Sequence, residues 1–369
     1  MRLFASVALG AALAVVAAPS SALNEAEQRA RILYQADETA QQIREKGLLY
    51  GDADLDRYLQ NIVDKLYPDY AGKLEVHAIK ATAFNAFAMA NGRLYVHTGA
   101  LLRLRNEAEL AALLGHEGAH YTGDHIYRTV TTAKATLPIM AVLDLGLGGL
   151  ATLTGVSSIM GMSRNHERDA DAQGFDRMTQ VGYDGSKGAD TFARLLREIE
   201  ALKLKQPIFF ASHPAVSERI ANFKAMSAKR EPGGETFAEQ YLVITSTARI
   251  AALDSILREA NGKLLVHLLE KEQLLDTLPA YCRFHLAEGY RLRNDKGDAE
   301  KALAAYRETL AAAPDYAPTY AALGKRLMND GDKAGALPLL RKYLELDPDS
   351  VDKGFVEMYV TTLEKELAP

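Results

Sequence analysis

Leu113-Leu114-Gly115-His116-Glu117-Gly118-Ala119-His120 is the stretch around which the rest of the chain is organised. As a helix with about 3.6 residues per turn, it puts His116 and His120 one turn apart on a single face, with Glu117 about 100° round from His116. Two imidazoles so placed can grip one metal ion. A four-coordinate zinc with three protein ligands keeps a position for water and lowers its pKa towards about 7, and Glu117 is the carboxylate placed to take the proton. Asn106 supplies an N-cap for this helix, with Glu109 at the capping-box position. Leu110 and Leu113 share the sector of His116, Glu117 and His120, so the polar trio continues a face meant for burial. Two histidines and a glutamate buried together need an ion or a dense hydrogen-bond network to offset desolvation. Gly118 works against the helix by about 1 kcal/mol relative to alanine and points to close packing on its far side.

Upstream, Ile32, Ala36, Ala40 and Ile43, then Leu55, Leu59, Ile62, Val63 and Leu66, recur at three- and four-residue steps and predict packing helices. Alternation replaces that period at Leu74-Glu75-Val76-His77-Ala78 and continues through residues 84–90 and 93–97, joined by the hairpin dipeptide Asn91-Gly92. The expectation is a small antiparallel sheet leading into the metal helix, with His77 and His97 on its surface and an edge able to bind an extended peptide by adding a strand. Residues 1–22 read as an export signal: Arg2, an apolar run from Leu3 to Ala18, then Ser20-Ser21-Ala22. The run is shorter than the ~20 residues that span a bilayer comfortably. Cys282 is the single cysteine, so no internal disulfide forms and no cysteine stands at the cleavage point for lipid attachment.

Downstream, residues 135–162 are apolar and glycine-rich, with Pro138 and one charge at Asp144. Proline, glycines and aspartate are costly in one lipid-facing helix, which favours a bent hairpin or flap over a membrane span. Ser163 then opens a further helix on which Glu167 and Asp171 lie one turn apart, and Gly174 continues their face, allowing a neighbouring helix to approach. Glu167 suits a third metal ligand. Asp171 suits accepting the outer N–H of a liganding imidazole. His125 and His166 are rival ligands by chemistry alone, although His166 points about 100° away from Glu167 on a helix.

These motifs carry a resemblance. The Asn85-Ala86-Phe87-Ala88 strand, Thr98-Gly99-Ala100-Leu101, the run from Glu109 into HEGAH, Glu167 to Asp171, and Ser212-His213-Pro214 with Arg219 stand in the order found in the zinc metallopeptidases related to the CAAX prenyl protease and HtpX. The chain resembles in particular their exported, soluble, BepA-like members over residues 70 to 225. The resemblance implies zinc bound by His116, His120 and Glu167, with Glu117 as general base. It places His213 and Arg219 at the mouth of the site, steadying an oxyanion or, for the histidine, capping zinc in a latent state. It implies further that the strand at Asn85, Ala86 and Phe87 holds the substrate backbone. Gly118, where relatives carry a bulky aliphatic residue, and Asp169, where glutamate is more usual, depart from the pattern.

Glu231-Pro232-Gly233-Gly234-Glu235 interrupts the helical pattern and reads as a joint at 231–237. Beyond it Ala302, Tyr306 and Pro314 recur 34 residues later as Ala336, Leu340 and Pro348, with Tyr320, Leu323 and Gly324 filling first-helix positions. That is the tetratricopeptide period, with units at about 281–314 and 315–348 inside a helical domain of residues 238–369. Two units are too few to stand alone, so flanking helices are expected to cap them. His267, His285 and Cys282 read as packing residues.

The 369 residues are 48% hydrophobic and 25% charged, enough for two or three cores, and a net charge of −5 without a basic stripe excludes a nucleic-acid partner. The fold expected is mainly α: a zinc-metallopeptidase domain over residues 23–230 with a small sheet, then the helical repeats. The function expected is an exported, periplasmic zinc endopeptidase acting on unfolded or misassembled polypeptides, in contact with outer-membrane assembly machinery through its repeats and peripherally with the membrane. The competing expectation is a chaperone-like repeat scaffold with a latent or structural zinc site.

Overall fold

The computed structural model describes residues 24–132, 162–204, 213 and 216–368. The export-signal reading and the glycine-rich segment up to residue 161 fall outside them. The architecture is mainly α with one small sheet, as expected. Helix α1 (Glu25–Glu45) starts with a reciprocal cap, Asn24 accepting from the Glu27 N–H and Glu27 from the Asn24 N–H. Helix α2 (Ala53–Leu66) buries Leu55, Leu59, Ile62, Val63 and Leu66, the residues its period selects.

Strands β1 (Glu75–Ile79), β2 (Ala86–Ala88) and β3 (Arg93–His97) form a sheet in the order β1-β3-β2. The β2–β3 hairpin is antiparallel, turning at Gly92 with φ of 83°. β1, however, pairs with β3 in parallel, Val76 opposite Leu94 and Ala78 opposite Val96, so the sheet is mixed rather than antiparallel throughout. Alternation reports which face a residue takes but not the sense of its neighbour. Here the hairpin folds back and inserts its second strand between the other two. A second correction concerns His97, which is fully buried, its ring edge-on to Phe87 and its Nδ1 3.2 Å from the Ala83 carbonyl oxygen. Burial pushes its pKa down to about 4. His77 is half-buried between Asp56 (3.1 Å) and Glu75 (3.0 Å).

After α3 (Thr98–Arg103), helix α4 (Glu107–Thr122) runs through the centre of the core, buried at every position from Glu107 to His120. Asn106 accepts from the Glu109 N–H at 2.9 Å, while Glu109 Oε2 reaches one residue past the usual capping-box partner to the Arg105 N–H at 2.9 Å. Helices α5 (His125–Thr132), α6 (Arg164–Gln180), α7 (Lys187–Leu202) and α8 (Val216–Ser227) complete this unit. Leu110, Leu113 and Leu114 pack with α2, the sheet, Phe175 of α6, Phe192 of α7 and Phe223 of α8.

Glycines decide how closely α4 is approached. A Cβ on Gly174 of α6 would lie 2.8 Å from the His116 backbone nitrogen, and one on Gly115 would lie 3.2 Å from the Gly174 Cα. A Cβ on Gly118 would fall 2.3 Å from the Tyr67 ring, whose hydroxyl donates to the Gly115 carbonyl. The helix-weakening Gly118 thus makes room for Tyr67.

The 231–237 stretch is pinned to this unit: the Thr236 carbonyl accepts from the N–H groups of Glu107 and Ala108 at 3.0 and 3.3 Å. Helix α9 (Ala238–Ile244) places Tyr241 in the same core, its hydroxyl donating to the Leu101 carbonyl at 2.6 Å. Helices α10 (Ser246–Arg258), α11 (Gly262–Val266), α12 (Arg283–Arg293), α13 (Asp298–Ala312), α14 (Ala317–Asn329), α15 (Lys333–Leu346) and α16 (Lys353–Leu367) follow. α12 with α13 and α14 with α15 pack as successive helical pairs. Ala302, Tyr306, Ala336 and Leu340 are buried, and Gly324 lets the Leu340 side chain lie against α14. His285 and Cys282 are fully buried, with burial pushing the thiol up to about 12. Among the described residues no helix is long and apolar enough to cross a membrane.

Candidate active site

The Gly115–Gly174 crossing delivers Glu167 and Asp171 to the imidazoles of α4. His116, His120, Glu167 and His213 each offer a donor atom, all within 4.8 Å of one another and all buried. The two Nε2 atoms of His116 and His120 are 3.0 Å apart. His213 Nδ1 is 3.2 Å from His116 Nε2 and 3.1 Å from Glu167 Oε1. Glu167 oxygens lie 3.6 Å from His116 Nε2 and 3.4 Å from His120 Nε2. Donors about 2.0–2.1 Å from one tetrahedral ion stand roughly 3.3–3.4 Å apart, so these spacings suit a single cation.

The proton inventory agrees. His116 Nδ1 is 2.9 Å from Asp171 Oδ1, which calls for the proton on Nδ1 and leaves Nε2 a bare lone pair. Arg219 Nη2 also approaches Nδ1, at 3.0 Å, but has its stronger acceptor in Asp171 at 2.6 Å, so that carboxylate takes both donors. Burial, with Arg219 and other imidazoles adding, lowers His116 to about 4 and His120 to about 3, so both are neutral at pH 7, the form in which a histidine binds metal. Burial opposes ionisation of Glu167, yet the groups around it, His213 foremost, outweigh it and hold the carboxyl well below its usual range.

The resemblance puts His213 and Arg219 at the mouth of the site, with the histidine able to cap a metal. Both are buried, 3% and 2% exposed. A guanidinium can be buried here because Nε and Nη2 fork onto Asp171 and its face covers the Phe192 ring at 4.2 Å. Arg219 therefore stands behind His116, with Nη1 3.5 Å from Glu167. His125, weighed as a rival ligand, is not in the quartet. Its Nδ1 lies 3.1 Å from His120 Nδ1 and its Nε2 2.9 Å from Asp169 Oδ2. His166 stacks on it, 4.6 Å between ring centres. The five-residue step from His120 to His125 fits no helical face, and only the break at Gly123 brings the rings together.

Glu117, one position round the helix, points towards the sheet. The Ala88 N–H donates to its Oε2 at 3.2 Å, while Oε1 has no hydrogen-bond partner among the described residues and lies 3.6 Å from His213 Nε2. Burial, helped by Glu167, pushes its pKa up to about 7, where a carboxylate can both take and return a proton. β2 is an edge strand. Asn85 and Met89 bond inward to β3, so by the alternation of the ladder Ala86 and Ala88 turn their backbone groups to the edge away from β3, where the Ala88 N–H meets Glu117. The Asn85 side chain is fully buried, and neither polar atom has a partner among the described residues. Phe87 is buried against Tyr95.

Residues 51–227, which hold all of these groups, match the model of Peptidase family M48. They form an M48 peptidase domain. The M48 unit is thus a metallopeptidase domain, and its quartet is where the metal on which such enzymes depend can bind. The chain is similar to the beta-barrel assembly-enhancing protease of Escherichia coli, 23% identical over 214 residues, 53% of this chain and 44% of that one. It is similar to the mitochondrial metalloendopeptidase OMA1 of Schizosaccharomyces pombe, 29% over 168 residues, 44% of this chain and 50% of that one. It is also similar to the metalloprotease LoiP of Escherichia coli, 28% over 149 residues, 38% of this chain and 57% of that one. The matched part of the chain spans about half the length of each of these relatives.

Proposed function

We propose that the chain is a zinc-dependent metalloendopeptidase of the cell envelope. Residues 23–230 form its peptidase domain, 231–237 the joint, and 238–369 a helical domain with tetratricopeptide units at about 281–314 and 315–348. The observation that carries this reading is a buried three-histidine, one-carboxylate cluster beside a glutamate that has one oxygen without a hydrogen-bond partner among the described residues and the other on the edge strand β2. Held by His116, His120 and Glu167, zinc would supply a Lewis acid for the scissile carbonyl and lower the pKa of a water.

The chain's own groups do the remainder. The outward backbone of Ala86 and the outward carbonyl of Ala88 take an extended substrate as an added strand, with Asn85 and Phe87, buried on one face of β2, holding β2 in place. Glu117 Oε1 takes the proton of the attacking water and passes it to the leaving nitrogen. His213 Nε2, beside Glu117, meets charge on the tetrahedral oxygen once His213 leaves the quartet. Arg219 acts by holding Asp171, and through it the His116 ring. Glu117→Gln should cost about 10²–10⁴-fold in casein cleavage while the variant keeps one zinc per chain. Undiminished cleavage would reject this mechanism.

The export-signal pattern and the likeness to a beta-barrel assembly-enhancing protease support envelope quality control as the task. Unfolded or misassembled polypeptides are then the substrates, and outer-membrane assembly machinery the partner of the repeats. The fourth donor favours a second reading. With His213 in the quartet the protein donors alone fill four corners, as in a structural or latent site, which fits a chaperone-like scaffold. His213→Ala separates the two: casein cleavage by the variant where wild type shows little marks a protease held off at rest, even with the group that meets the tetrahedral oxygen removed, whereas inactivity in wild type and variant alike favours the scaffold.

A further inference from the structure

The two α4 imidazoles of the quartet are supported differently. His116 is backed directly by a buried carboxylate, Asp171, itself clamped by Arg219. Among the described residues, no carboxylate stands directly behind His120. Its Nδ1 meets the Nδ1 of His125, and the far nitrogen of His125 meets Asp169. With both imidazoles neutral, one proton arrangement satisfies the whole line: His120 donates from Nδ1, His125 accepts at Nδ1 and donates from Nε2, and the Asp169 carboxylate accepts. This arrangement leaves His120 Nε2 unprotonated and aimed at the quartet.

The line is built rather than incidental. His125 is 1% exposed, whereas the Asp169 side chain is 53% exposed, so the buried imidazole carries the link from the site to a carboxylate near solvent. Three neighbours hold its parts. A Cβ at Gly123 would lie 2.6 Å from His125 Nε2, so glycine is what admits the ring. His166 stacks on the ring with 9° between planes, and its Nδ1 is 3.3 Å from Thr129 Oγ1. Gln173 Nε2 donates to the same Asp169 oxygen at 2.9 Å.

We infer that His125, seated by Gly123 and His166 and anchored on Asp169, is the positioning residue that fixes the tautomer and orientation of His120 for metal binding. The inference rests on the metal-site reading above. Outer partners of liganding imidazoles typically contribute about 10–100-fold to metal affinity.

The test compares three variants of the full chain by competition for zinc against a chelator, by the visible spectrum of the cobalt-loaded protein, and by thermal unfolding of the metal-free protein. His125→Phe keeps the ring and the stack but removes the acceptor. It should weaken zinc about 10–100-fold and shift the cobalt spectrum, with unfolding of the metal-free protein unchanged. His125→Asn puts an acceptor oxygen near the place of Nδ1 and should recover most of the affinity. Asp169→Asn should fall between His125→Phe and wild type. Wild-type affinity and spectrum in His125→Phe would overturn the inference, as would equal losses in the Phe and Asn variants or a loss matched by earlier unfolding without metal. Failure of wild type itself to take up one zinc would instead overturn the metal-site reading, and this inference with it.

Discussion

The α4–α6 crossing and the α14–α15 pair use the same device for opposite ends. In both, a glycine lets a neighbour approach where a side chain would stand. At Gly174 the neighbour is backbone, the His116 nitrogen at 2.8 Å from a would-be Cβ, and the approach delivers carboxylates to imidazoles. At Gly324 the neighbour is the side chain of Leu340, and the approach only completes an apolar stack. The first region holds polar groups whose positions are fixed by one another. The second is held by shape and area, which tolerate adjustment.

Arg219→Met should break this contrast most strongly. It leaves Asp171 and Glu167 without their buried cation, a change that typically costs about 3–5 kcal/mol. Chemical denaturation and zinc content should both fall. Gly174→Ala comes next: rigid backbone cannot yield to the new methyl, and overpacking of about 1–3 kcal/mol should part the helices and weaken zinc, read by melting and chelator competition. Gly324→Ala should change stability by no more than about 1 kcal/mol, because a methyl against a movable leucine is partly offset by alanine's better helix propensity. Peptidase rate should be unaltered. A large loss there would mean the α14–α15 pair is packed as rigidly as the site.

The smallest effect sharpens the comparison from outside both regions. A hydrogen bond to Asp56 and a further one to Glu75 raise the pKa of His77 despite its half-burial. With the folded value above the unfolded value near 6.5, its contribution is full below that value and is lost as pH rises through the folded pKa. His77→Gln should therefore cost a few tenths of a kcal/mol, up to about 1, at pH 5.5 and nearly nothing at pH 9, measured by urea denaturation at both. An equal cost at both pH values would show that packing, not charge, holds that residue.

Much of the site was legible because helical spacing is a strong rule. The four-residue steps from His116 to His120 and from Glu167 to Asp171 each put two groups on one face, and Gly174 announced a close approach. The outer partner of His116 followed from the same spacing. His125 did not, because its link to His120 runs through a turn that no period describes. The sheet divided likewise: Asn91-Gly92 marked the hairpin, while the parallel pairing of β1 and the burial of His97 depended on which strand lay between the others.

By itself the sequence determined the residues that share a helix face, the 34-residue return of the C-terminal pattern and the chemistry the HEGAH stretch offers, since local periodicity and donor type are written residue by residue. The tertiary structure alone decided that Arg219 supports His116 from behind, that His213 is buried within the quartet and that His125 leans on Asp169. Those facts depend on how separate segments cross, and a crossing is set by packing between distant residues rather than by any one stretch of chain.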